Sequence, residues 1–198
     1  LSTIDTPTSG EIWINGVNLK NLNHTSAADF RKDNLGFIFQ EYFLLDSLTI
    51  RENISVPLTL QKLPPKKIEN MVRSLAERFG IASQLGKYPH ELSGGQRQRA
   101  SAARAIVKQP SILFADEPTG ALDSSSATEL LNTLYEANQE LHTTILMVTH
   151  DAYAASFASR ILIFKDGCII KELAKQGSNR RDFYEAIAAE VARLDTER

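Results

Sequence analysis

Three carboxylates and a pair of glycines fall within one stretch, Leu92 to Asp123, which reads LSGGQRQRASAARAIVKQPSILFADEPTGALD. Asp116 and Glu117 directly follow the apolar run Ile112-Leu113-Phe114-Ala115, and Asp123 closes a Pro/Gly connection. A buried strand at this point delivers both carboxylates to the carboxyl edge of a sheet, where open α/β folds bind ligands. Upstream, Ser93, Gly94 and Gly95 open a helix and leave backbone N–H groups uncovered at the positive end of its macrodipole, a ready anion site. An acidic pair after a strand is ordinarily a solvated turn, and either half of the stretch alone would be read that way. Both halves at this spacing point to phosphate chemistry.

The elements that must position these groups follow from the patterning. Leu1 to Gly10 reads as the end of a helix and a Pro/Ser/Gly turn, and Glu11 to Gly16 as a strand turning at Asn15-Gly16 into Val17 to Leu19. A polar stretch with a helix over Ser26 to Lys32 precedes the short apolar strand Leu35 to Phe39, which stops at Gln40. From Glu41 to Pro110 the spacing becomes helical, over Leu48 to Leu58, Pro65 to Phe79 and Gly95 to Lys108, with Leu75, Phe79 and Ile81 on a buried face. In the last of these helices Ala100, Ala103 and Val107 share one stripe, and Arg97, Gln98 and Arg104 lie off it. Strand signals resume at Ile112 to Ala115, followed by a helix over Ser124 to Leu141, a strand over Thr144 to Thr149 and a short helix near Ala152 to Ser159. Ile161 to Phe164 and Cys168 to Leu173 form a hairpin about Asp166-Gly167, and Arg181 to Leu194 an amphipathic helix with Phe183, Ile187 and Val191 at i, i+4 and i+8. Alternating helices and near-continuous apolar strands imply a mainly parallel sheet covered on both faces, an α/β fold.

Composition narrows the function. The 198 residues suit one domain with room for a subdomain, and 22 Lys plus Arg against 24 Asp plus Glu give a formal charge of −2. A general nucleic-acid binder is more often basic, so no nucleic-acid partner is expected. The single cysteine, Cys168, cannot form an internal disulfide, which fits a reducing compartment. Every apolar run is far short of the roughly 20 residues that span a bilayer, so a membrane role must come through a partner.

LSGGQ at Leu92 to Gln96, ILFADEP at Ile112 to Pro118, GALD at Gly120 to Asp123 and Thr149-His150 together resemble the ATP-binding subunits of ABC transporters, and Gln40 after an apolar strand fits the same pattern. The resemblance implies a P-loop NTPase (RecA-like) core over residues 1–40 and 110–180, an inserted helical signature subdomain over 41–109, and a C-terminal helix over 181–198. It implies ATP and Mg²⁺ as cofactors. Asp116 would hold Mg²⁺ through water, and Glu117 would be the general base that orients and deprotonates the attacking water. His150 would lie beside the γ-phosphate, and Gln40 would contact Mg²⁺ or the lytic water and report nucleotide state to the helical insertion. Ser93, Gly94, Gly95 and Gln96 would close over ATP bound by the opposite subunit of a head-to-tail homodimer. Asp123 would lie at that seam, with an ordinary helix N-cap before Ser124-Ser125-Ser126 as the alternative. Tyr42-Phe43-Leu44-Leu45, apolar for a loop, would either be core or, the sharper reading, line a groove for a cytoplasmic helix of a membrane permease. GFIFQ, Arg51-Glu52-Asn53, YPHELSGGQRQR and ADEPTGALD resemble the branch handling antimicrobial peptides, macrolides and lipoproteins. The tail Gly177 to Ile187 resembles bacitracin-type peptide-resistance subunits. The implied location is cytoplasmic, peripheral at the inner face of a bacterial membrane.

Other classes fit less well. A DNA-repair ATPase with this head carries a very long coiled coil where this chain has only Gln40 to Leu92, and a translation factor normally carries two heads and a basic ribosome-facing surface. A degenerate binding module is disfavoured by the presence of both Glu117 and His150. The sequence departs from the family in one respect. The only Gly-Lys pair is Gly86-Lys87, preceded five residues earlier by Ile81 and followed by Tyr88, so no G-x-x-x-x-G-K-S/T cradle is present. Starting at Leu1 without methionine, the chain reads as an N-terminally truncated cassette whose cradle lies upstream. These 198 residues by themselves are therefore expected to bind MgATP weakly and to be inactive; micromolar affinity in a calorimetric titration would refute this.

Overall fold

The computed structural model describes residues 2–196, with side chains through Leu194. The chain divides into two compact units, one ending at Leu146 and one beginning at Met147. In the first, β1 (Trp13–Ile14) and β2 (Val17–Asn18) pair antiparallel, with Trp13 opposite Asn18 and Ile14 opposite Val17. Asn15 and Gly16 supply the two left-handed conformations of the turn, φ 49° and 76°. The helix expected before Gly10 is not formed over the described residues 2–10, where Thr3 is left-handed at φ 60° and its carbonyl and hydroxyl both accept from Arg31. Leu1 lies outside the described residues.

Helix α1 (His24–Asn34) starts at Asn23, whose side chain accepts from the Ser26 N–H at 2.8 Å. It runs straight into β3 (Leu35–Ile38), and Ile14, Phe30 and Leu35 join in one buried cluster. β3 pairs in parallel with β4 (Ile112–Asp116), from Leu35 opposite Ile112 to Ile38 opposite Ala115. The strand order is β3-β4-β5, with β5 (Thr144–Val148) leaving the first unit after Leu146. Between β3 and β4 run α2 (Ile50–Leu60), α3 (Pro65–Arg78) and α4 (Gly94–Ile106), and α2 packs on both others. Each start is specified locally. Thr49 and Glu52 close a capping box on α2, Pro65 takes the first position of α3 where its missing N–H costs nothing, and Ser93 and Gln96 close a second box on α4.

The reading of α4 as having one buried stripe is corrected by its surroundings. Gln98, Ala100, Ser101, Ala102, Ala103, Ala105 and Ile106 are all buried, because α2, α3 and β3 enclose the helix from several sides. Gln98 therefore belongs to the interior, 1% exposed, and the Arg104 guanidinium bonds carbonyls of a neighbouring loop. After β4, α5 (Ser124–Leu141) matches its expected range and ends at His142, left-handed at φ 54°. In the second unit α6 (Ala152–Ala155) is shorter than expected. β6 (Arg160–Lys165) and β7 (Cys168–Ala174) form the hairpin, with the Arg160 guanidinium donating to Glu172 at 2.7 Å. Helix α7 (Arg180–Thr196) packs on α6, burying Phe183 and Ile187. Val191, expected on the same stripe, is 42% exposed, a turn beyond Ile187. Glu197 and Arg198 lie outside the described residues.

One contact sets how closely the sheet and α4 approach. A methyl group on Gly36 would sit 2.6 Å from the Ala105 carbonyl oxygen and 2.8 Å from Leu113 Cδ1. The backbone oxygen cannot swing away as a flexible side chain could. Gly36→Ala is accordingly expected to destabilise the chain by about 1–3 kcal/mol, read as a lower urea midpoint at unchanged slope; an unchanged midpoint would show that α4 retreats freely.

Candidate functional site

The register of β3 on β4 decides which groups meet. Beyond the last pair, Ile38 opposite Ala115, each chain runs two residues further, to Gln40 on one side and Glu117 on the other. The two therefore emerge at the same carboxyl edge, as parallel strands require. Asp116 ends β4 exposed and Glu117 is half-buried. Glu117 is left-handed, φ 43°, and its carbonyl accepts from the Gly120 N–H at 3.1 Å to close a turn. Gln40 lies over that turn: a Cβ on Gly120 would come within 3.2 Å of the Gln40 amide carbon and nitrogen. A residue larger than glycine there would push the amide off the Glu117 turn.

Gln98, which sequence periodicity placed among ordinary polar positions, holds this edge together. Its Nε2 donates to the Phe39 carbonyl at 3.1 Å and to the Pro118 carbonyl at 2.7 Å, the carbonyls of the residue before Gln40 and the residue after Glu117. The signal that could have found it is the Ala100-Ser101-Ala102-Ala103 run. A helix with so many small residues is enclosed on several sides, so a glutamine at i−3 and i−4 from Ser101 and Ala102 is interior. The same helix pins the next loop. Ser101 Oγ donates to the Tyr42 carbonyl at 2.8 Å, Arg104 donates to the Tyr42 and Phe43 carbonyls, and the Arg97 guanidinium lies 5.2 Å from the Tyr42 ring centre. Tyr42 and Phe43 are both left-handed, and Phe43 and Leu45 stand 59% and 49% exposed beyond them. Asn53, fully buried, donates to the Leu45 and Leu48 carbonyls and accepts from the Leu45 N–H, fixing the far end of that loop.

At the start of α4, Ser93 and Gln96 satisfy each other: the Ser93 N–H donates to Gln96 Oε1 at 3.0 Å and the Gln96 N–H to Ser93 Oγ at 3.3 Å. The Gly94 and Gly95 N–H groups carry no protein acceptor among the described residues. A Cβ on Gly95 would strike Ser126 Oγ at 2.8 Å, so this helix start abuts the start of α5. Arg99 reinforces the junction through Glu129 at 2.8 Å. There Asp123 is the N-cap of α5, accepting from the Ser125 and Ser126 N–H groups at 3.1 and 3.0 Å. His150 lies in the second unit, exposed, just before Asp151, whose carboxylate caps α6.

The donor chemistry suits a magnesium–nucleotide. Asp116 and Gln40 offer hard oxygens at one edge, and among the described residues no group of three or more His, Cys, Asp or Glu forms a protein cage. Mg²⁺ is held this way, by one or two protein oxygens plus water and phosphate. No described helix is long and apolar enough to cross a membrane.

A parallel α/β core with an enclosed signature helix and carboxylates at the strand ends defines a nucleotide-hydrolysing cassette. The family described as ABC transporter matches residues 1–120, and the chain belongs to it. The chain is 51% identical over 187 residues to the bacitracin export ATP-binding protein BceA of Halalkalibacterium halodurans, covering 94% of this chain and 74% of that protein. It is 43% identical over 172 residues to the macrolide export ATP-binding/permease protein MacB of Vibrio parahaemolyticus, covering 87% of this chain and 26% of that larger protein. The dimeric structure of the ATP-binding cassette MJ0796, bound to ADP and Pi after hydrolysis, superposes with TM-score 0.80 at 32% identity, covering 89% of this chain and 78% of that one. The chain is thus an ATP-binding, ATP-hydrolysing subunit of an ABC transporter, in the branch that its sequence resembled.

The cap on α5 makes a measurable statement. The Asp123 carboxyl is held below its ordinary 3.8, first by the Ser126 backbone N–H, then by the Ser126 hydroxyl and the Ser125 N–H. Its contribution to stability is present above that ordinary value and is lost as pH falls through the lower folded-state value. Asp123→Asn keeps the acceptor and removes the charge, so urea midpoints followed into acid should decline less steeply than in the unsubstituted chain; parallel declines would exclude this role.

Proposed function

We propose that the edge bearing Gln40, Asp116 and Glu117 is the hydrolytic site of a bacterial export ATPase acting on a bacitracin-like peptide or related amphiphile through a membrane permease. The observation that carries this reading is the convergence of Gln40 on the Glu117 turn across Gly120, which puts an amide and a general-base candidate at one sheet edge. Residues 1–40 and 110–180 act as the core, 41–109 as the signature subdomain and 181–198 as the C-terminal helix.

Magnesium supplies charge neutralisation of the phosphates when bound. Asp116 would hold it through water, its exposure leaving room for the hydration shell that Mg²⁺ keeps. Glu117 takes a proton from the attacking water, and Gln40 orients that water or the metal. Phosphoryl transfer is chiefly positioning and charge stabilisation, so a left-handed Glu117 fixed by its own turn suits the task. His150 is assigned to the γ-phosphate by the family resemblance.

Ser93 to Gln96 serve the nucleotide of a second subunit in a head-to-tail homodimer, with Asp123 beside them at the seam. The contact of Gly95 with Ser126 supports placing the two on one surface. The exposure of Phe43 and Leu45 supports a docking surface for the permease, with the subunit at the cytoplasmic face of the membrane. The peptide substrate rests on the similarity to BceA over nearly the whole chain.

Glu117→Gln in the full-length subunit should lower ATP turnover by at least about 100-fold, the scale of a general base, and leave MgATP binding in place. Turnover at the unsubstituted rate would overturn the assignment.

A further inference from the structure

We infer that Gln98 is a positioning residue for hydrolysis: its buried side-chain amide holds the Gln40 and Glu117 backbones at a fixed separation and ties both to the signature helix. This rests on the reading of Gln40 and Glu117 as the hydrolytic pair. Gln98 acts through the Phe39 and Pro118 carbonyls, which lie just beyond the ends of β3 and β4, neighbours in the sheet.

Three observations separate this from ordinary core packing. The side chain is a fully enclosed amide where a leucine of similar size would satisfy volume alone, and both N–H donors of Nε2 are spent on backbone carbonyls at the active edge. Its Oε1 is buried without a hydrogen-bond partner among the described residues, so the amide is retained in spite of a desolvation penalty. The Pro118 carbonyl it grips belongs to the residue that follows the left-handed Glu117. A conformation that an L-residue adopts unwillingly persists when its neighbours over-determine it, and here the Gly120 N–H holds one side of the turn and Gln98 the other. Gln98 also lies two residues beyond Gln96 of the LSGGQ segment, on the same helix and one turn along from Gly94 and Gly95. A displacement of that segment is therefore passed by one side chain to the general base of the same subunit, whereas the segment itself faces the other subunit's nucleotide in the proposed dimer.

The test uses the full-length subunit and compares the unsubstituted protein, Gln98→Met, Glu117→Gln and the double variant. Methionine keeps length and volume and removes both donors. Gln98→Met is expected to lower kcat for ATP by tenfold or more, with KM for ATP changed less than twofold. In the Glu117→Gln background the same substitution should change residual turnover less than twofold, because the amide works through Glu117. A purely structural role would instead reduce the amount of folded protein and move both backgrounds alike. An unchanged kcat in Gln98→Met, or equal fold-losses in the two backgrounds, overturns the inference. Full turnover in Glu117→Gln overturns the hydrolytic reading itself, a separate outcome. Should the methionine variant not fold, Gln98→Asn, which withdraws the amide by one methylene, is read by hydrogen exchange. The Gly120 amide should lose protection at least tenfold relative to the amides of α4, and equal protection counts against the inference.

Discussion

The parallel pairing of β3 with β4 is the constraint on which the rest of the site depends. Leu35 opposite Ile112 through Ile38 opposite Ala115 fixes a register in which Gln40 and Glu117 leave the sheet in step. Leu35 and Ile38 lie on opposite faces of β3 and both are buried, so a slip by one residue would move each side chain to the other face and undo its packing. The hydrophobic core thus fixes the register of this edge, without contribution from Gln40 or Glu117. Gly36 adds the second half of the constraint by letting β3 lie against Ala105 of α4 more closely than any side chain would allow. That approach is what brings Gln98 within reach of the strand ends.

Helix α4 is consequently more than the carrier of a signature sequence. From one helix, Arg97, Gln98, Ser101 and Arg104 meet Phe39, Tyr42, Phe43 and Pro118, so the loop after β3 and the turn after β4 are both fastened to it. Three residues in these segments, Tyr42, Phe43 and Glu117, adopt left-handed conformations that ordinary side chains disfavour. Each lies beside a carbonyl held by α4, which is how such strain persists at functional sites.

Secondary structure was largely legible in the sequence because most elements here are specified by local signals: capping boxes at Thr49 and Ser93, Asn15-Gly16 and Asp166-Gly167 turns, and apolar runs at Leu35 and Ile112. What local signals did not carry was set by contacts elsewhere in the chain, as for α4, which starts at the Ser93 box yet is enclosed on several sides. The first ten residues have an apolar–polar mixture that reads as a helix end, yet Thr3 is drawn to Arg31 of α1, a contact 28 positions away. Val191 has the correct spacing to follow Ile187, but spacing says nothing of where a neighbouring element stops. Asp123 was open between a seam residue and an N-cap, and its bonds to Ser125 and Ser126 supply the cap.

The sequence by itself determined the family, the carboxylates and the signature segment, since phosphate chemistry demands those residue types at short fixed spacings. Tertiary structure alone decided that Gln40 meets the Glu117 turn over Gly120, and that Gln98 is an interior amide bridging two strand ends. The physical reason is separation along the chain. Gln98 is 59 positions from Phe39 and 20 from Pro118, and no local periodicity encodes which carbonyls a buried amide will find until the sheet and the helix have closed on it.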